Sequence, residues 1–77
     1  MVLLRLPEVL ARTGYSRSSL YRRISAGLFP HPVKPSERIS AWPLEEVDLI
    51  LGYIVSGATD DKLRAVVNMI HENRKLV

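Results

Sequence analysis

The chain has no cysteine, so neither a disulfide framework nor a thiolate metal site is open to it, a composition compatible with a reducing compartment. Long apolar runs are also missing. Val2, Leu3 and Leu4 are followed at once by Arg5, so the expectation is a cytoplasmic protein with neither a signal peptide nor a membrane span. Seryl, histidyl and aspartyl side chains occur, but no nucleophile motif or glycine-rich phosphate loop organises them. His31 and His71 each lack a second ligand at metal spacing. A chain of 77 residues allows one small domain, which buries only about 60% of its unfolded surface and has no room for a large catalytic cleft. Catalysis, a bound metal, a cofactor and a small-molecule ligand are therefore not expected.

One further absence is local. From Thr13 to Lys34, "TGYSRSSLYRRISAGLFPHPVK", there is no acidic residue, although the stretch contains Arg17, Arg22, Arg23 and Lys34. Residues 1 to 40 hold seven basic against two acidic side chains, a net of +5, and residues 41 to 77 hold four against six, a net of −2. A chain that segregates its charge in this way has a positive end suited to phosphate.

The order of turn and cap residues predicts the elements. Pro7 and Glu8 suit the first turn of a helix, where a missing N–H costs nothing and a carboxylate meets the positive end of the dipole. Gly14 fits the left-handed residue that closes this helix, and Tyr15 can pack back on it. Ser16 caps a second helix, roughly 17 to 26, whose Leu20 and Ile24 share one side. Two short helices about three residues apart form a helix-turn-helix. After Gly27, Pro30 and Pro32 impose extended chain. Val33 and Lys34 then form one strand and Ile39 to Trp42 another, joined by a turn over 35 to 38, which makes a short β-hairpin wing. A third helix starts at Pro43 with Glu45 and Glu46 in its first turn and an inner stripe of Leu44, Val47, Ile50, Leu51 and Ile54, ending at Gly57. Thr59 caps a fourth, with Leu63, Val66, Val67 and Ile70 on one face.

The segment "RLPEVLARTGYSRSSLYRRISAGLFPHPVK", followed by an arginine, a tryptophan and "EEVDLIL", resembles the AlpA-type phage and prophage regulators, a branch of the MerR-like winged-helix proteins that borders the small excisionases. The most specific pieces are "SRSSLYR", "FPHPVK" and Trp42, and the likeness runs from about Leu4 to Ile54. It implies a DNA-binding transcriptional regulator of phage type, or an excisionase using the same surface. Two departures stand out. Pro35, Ser36 and Glu37 replace a glycine-containing wing turn, and residues 58 to 77 extend past the usual end of the family.

The fold expected is mainly α, a winged helix-turn-helix over 1–57 with a C-terminal helical extension over 58–77. At about 100° per residue, the face of the second helix opposite Leu20 and Ile24 displays Ser18, Arg22 and Ser25, with Ser19, Tyr21 and Arg23 flanking and Arg17 in the first turn. The candidate contacts to double-stranded DNA are Arg17, Ser18, Ser19, Tyr21, Arg22 and Arg23 from this helix and Lys34 and Arg38 from the wing. Trp42, between a strand and a helix, is expected in the core. Leu63, Val66, Val67, Ile70 and Val77 lie either against the third helix of the same chain or against a second copy, so that homodimers or cooperative assembly on DNA remain open. A separate reading, a small helical adaptor whose basic face meets an acidic protein, also stands at this level.

Overall fold

Capping chemistry places the first two helices of the computed structural model, which describes residues 1–76. Helix α1 (Leu6–Thr13) carries Pro7 in its first turn, and Glu8 reaches back so that its carboxylate accepts the Arg5 N–H at 2.9 Å. It closes at Gly14, whose φ of 76° is left-handed and whose N–H donates to the Leu10 carbonyl. A residue with a Cβ would be strained at that angle, so glycine is what lets the chain turn here. The Ser16 hydroxyl accepts the Ser19 N–H at 3.2 Å and opens helix α2 (Arg17–Ser25). Leu20 and Ile24 of α2 are buried together with Val9 of α1, which fixes how the two helices cross.

The wing and its neighbour form a three-stranded antiparallel sheet in the order β1 (Leu3–Arg5), β3 (Ile39–Pro43), β2 (Val33–Ser36). The expected hairpin is present, with two differences. Strand β2 runs through Pro35 to Ser36, and its register against β3 shifts between Val33↔Ala41 and Ser36↔Ile39. Pro35 has no N–H for a ladder, and an edge strand with an irregular register is where a proline is tolerated. Strand β1 has no counterpart in the sequence reading; it pairs Leu4 with Trp42 and Arg5 with Ala41. The wing is thus anchored to the front of α1 and does not hang free as a two-stranded ribbon.

Trp42 is fully buried, and its indole N–H donates to the Pro30 carbonyl at 3.0 Å. That bond ties the proline-rich connection after α2 to the central strand, and Phe29, also fully buried, packs into the same cluster. Helix α3 (Leu44–Val55) follows directly, with Val47 and Ile50 buried. Helix α4 (Asp60–Arg74) starts at Thr59, whose hydroxyl accepts the Lys62 N–H. Its Leu63, Val66, Val67 and Ile70 belong to the cluster that holds Trp42, Leu20 and Val9, each burial worth roughly 1.5–3 kcal/mol. Val77, the last member of the expected stripe, lies outside the described residues. Among the described residues no helix is long and apolar enough to cross a membrane.

Two arginines bind α4 to the front half. Arg74 donates from Nε to Glu46 at 2.9 Å and from Nη2 to the His31 carbonyl at 2.8 Å, joining α4, α3 and the proline-rich connection. Arg64 donates from Nε to the Ala26 carbonyl at 3.0 Å, satisfying an acceptor at the C-terminal end of α2. Gly27, at φ 77°, turns the chain away beneath the Arg64 stem, and a Cβ there would meet that stem at 3.6 Å.

Candidate nucleic-acid interface

Helix α2 buries two residues, Leu20 and Ile24, and turns the rest of its surface outward. Arg17, Ser18, Tyr21, Arg22 and Ser25 are exposed, while Ser19 and Arg23 on the flanks are half-buried. The helical period therefore sorts this segment as the sequence implied, because the two apolar residues four apart fix which side meets the core. Arg38 sits at the tip of the hairpin and is exposed. With Arg17 and Tyr21 of α2 it lines one cleft between α2 and the wing, so residues 21 positions apart in sequence share a surface.

The fold uses three of the candidate residues internally. The Ser19 hydroxyl accepts from Ser16 at 2.9 Å inside the cap of α2. The Arg23 guanidinium lies 5.1 Å from the centre of the Tyr15 ring, a cation–π contact that holds it toward the helix-turn-helix corner. Its Nε is buried without a hydrogen-bond acceptor among the described residues. Lys34 donates from Nζ to the Ser40 hydroxyl at 2.9 Å, across the hairpin. Arg17, Arg22 and Arg38 have no ion pair or side-chain hydrogen bond among the described residues.

Three other arginines are paired. Arg12 meets Asp48 at 3.3 Å, Arg64 meets Asp61 at 3.5 Å, and Arg74 chelates Glu46. An exposed arginine without a carboxylate partner can meet an outside anion. The side chain suits that duty: its planar fork matches phosphate oxygens or the O6 and N7 acceptors of guanine.

One connection in the frame was hidden by its separation in sequence. His31 and His71 stack with ring centres 5.0 Å apart, and the His31 N–H donates to His71 Nε2 at 3.1 Å. That bond requires an unprotonated Nε2, hence a neutral His71. Burial first, then the Arg74 and His31 charges, push the His71 pKa below its ordinary 6.5, against the opposing pull of Glu46 and Glu72. No cluster of three or more potential metal ligands exists among the described residues.

The sequence model of the family described as "Prophage CP4-57 regulatory protein (AlpA)" matches residues 2–49, well over half of the chain. The match takes in α1, α2 and the whole sheet, and ends inside α3. Neither a curated protein nor a solved structure matches the chain.

Proposed function

Because the chain belongs to the AlpA family of prophage regulatory proteins, we propose that it regulates transcription by binding a specific sequence of double-stranded DNA. Helix α2 lies in the major groove, with Arg22 reading a base edge and Arg17, Ser18 and Tyr21 on the flanking backbone, while the wing braces the duplex through Arg38 and Lys34. The observation that carries this reading is the outward face of α2 and the wing tip, where Arg17, Arg22 and Arg38 stand exposed without a carboxylate partner among the described residues. No chemistry is required of the protein: occupancy of a promoter is enough. Two copies on neighbouring half-sites would extend the sequence that is read, a feature that mass measurements in solution and on DNA would detect.

Selection of binding sites from random duplex DNA at physiological salt tests the reading. A single recovered motif is the expected result, and its position near a promoter or at an attachment site separates a transcriptional regulator from an excisionase. Recovery of no motif, together with binding to an acidic protein that depends little on salt, would favour an adaptor instead.

A further inference from the structure

Arg5 was not among the residues that the sequence singled out, because it lies outside both the recognition-type helix and the wing. The fold changes its standing. Pairing of β1 with β3 brings Arg5 opposite Ala41, and its side chain then lines the same cleft as Arg17, Tyr21, Arg38 and Ser40, a cavity of about 330 Å³ open to solvent. Three guanidinium-bearing residues thus converge from three elements: the end of β1, the first turn of α2 and the hairpin tip. No carboxylate lines the cleft, and none of these three arginines has an ion pair among the described residues. Converging like charges repel in the free protein, and an anion bound between them removes that cost.

The remaining lining groups favour a phosphate over a carboxylate-bearing peptide. Tyr21 and Ser40 add hydroxyl donors, the group type that commonly contacts phosphate oxygens. Ser40 is already an acceptor for Lys34 Nζ, which occupies one oxygen lone pair and leaves the hydroxyl proton for an outside acceptor. Arginine forks and hydroxyls around one opening match the tetrahedral, multiply accepting oxygens of a phosphodiester. The cleft also adjoins the exposed face of α2, so a strand whose bases meet Arg22 has its backbone close by.

We propose that Arg5, Arg17 and Arg38 form a seat for one phosphate of the DNA backbone, with Arg5 as a contact residue supplied by β1. The inference rests on the DNA-binding reading above and deepens it. In this arrangement the seat fixes the depth and register of α2 in the groove, and it contributes affinity without sequence preference.

The test compares salt titrations of duplex binding for the wild type, Arg5→Gln, Arg5→Lys and Lys75→Gln, each first checked for an unchanged thermal transition. Lys75, which caps the C-terminal end of α4 and pairs with Glu72, serves as the control for the loss of one positive charge. Arg5→Gln is expected to reduce the log–log salt slope by about 0.9, the value for one released phosphate contact, and to weaken binding by the same factor on the selected site and on mixed-sequence duplex. Arg5→Lys should restore the slope while leaving affinity below that of the wild type. If the wild type binds duplex DNA and Arg5→Gln behaves as Lys75→Gln does, the phosphate seat is wrong and the DNA reading survives; a wild type that does not bind duplex DNA removes both. Inorganic phosphate added at constant ionic strength, with the Arg5 and Arg17 Nε–H resonances followed by NMR, separates the sources. Weak, unsaturated shifts support a seat for the DNA backbone, whereas saturation that blocks duplex binding would assign the cleft to a free phosphate.

Discussion

The surface of α2 and the wing differs from that of α3 and α4 in what its cations do. On the first, Arg5, Arg17, Arg22 and Arg38 have no carboxylate partner among the described residues. On the second, Arg64, Arg74 and Lys75 each meet an acidic side chain, and Lys62 lies 5.6 Å from the centre of the Tyr53 ring. Both regions are built on one hydrophobic cluster and come from one short chain. The contrast shows how a small fold can divide its labour: one half neutralises its charges to hold the frame, and the other leaves them available to a ligand. Where the halves meet, Arg64 and Arg74 reach out of α4 to carbonyls on either side of the turn that follows α2. The paired half thereby positions the unpaired one.

The largest expected effect comes from removing what both halves share. Trp42→Ala empties the centre of the cluster and leaves the Pro30 carbonyl without its donor, so a loss of about 3–5 kcal/mol is expected, enough to unfold a domain of this size. Circular dichroism through a thermal ramp reads it directly. A folded Trp42→Ala variant with a normal melting transition would show that the two halves do not depend on this ring.

Substitutions within each half should separate binding from stability. Arg22→Ala is expected to cost about 1–3 kcal/mol of affinity for the selected site, to relax preference at one base position and to leave the melting transition in place. An equal loss on random duplex would move Arg22 from the base edge to the backbone. Arg74→Ala should do the opposite, lowering stability by about 2 kcal/mol, because a charge-assisted pair and the bond to the His31 carbonyl are lost together. The folded fraction should bind DNA with unchanged sequence preference. Arg64→Ala lies between them, with about 1 kcal/mol of stability lost along with the bond to Ala26 and a modest loss of DNA affinity, since the end of α2 is no longer braced.

Acid should act on the paired half first. The His71 pKa is lowered in the folded state, so the unfolded chain binds more protons as pH falls below about 6.5, and stability contributed by neutral His71 is complete above that value and declines beneath it. His71→Gln should flatten this part of the pH profile in chemical denaturation. An unchanged profile would mean that the His31 contact contributes nothing to the frame.

Much of this comparison was legible in the sequence, and the reasons are local. Gly14, Ser16 and Thr59 announce corners through chemistry that acts within a few residues, and the four-residue spacing of Leu20 and Ile24 is enough to show which face of α2 is free. The missed features depend on distant partners. Strand β1 is three residues long, too short for alternation to register, and exists because Trp42 and Ala41 offer it an edge. Arg5 joins the cleft only through that pairing. The stacking of His31 on His71 and the reach of Arg64 to Ala26 span 40 and 38 positions, and no spacing rule connects them. The segregated charge was visible from the start, but which arginines stay unpaired is decided by the fold.

The central claim, that the unpaired arginines of α2 and the wing await the phosphates and bases of a duplex, is tested most directly by the salt dependence of wild-type binding to its selected site. Several simultaneous phosphate contacts predict a log–log slope of about −0.9 for each one, so affinity falls steeply between low and physiological salt. A flat dependence over that range would contradict the account.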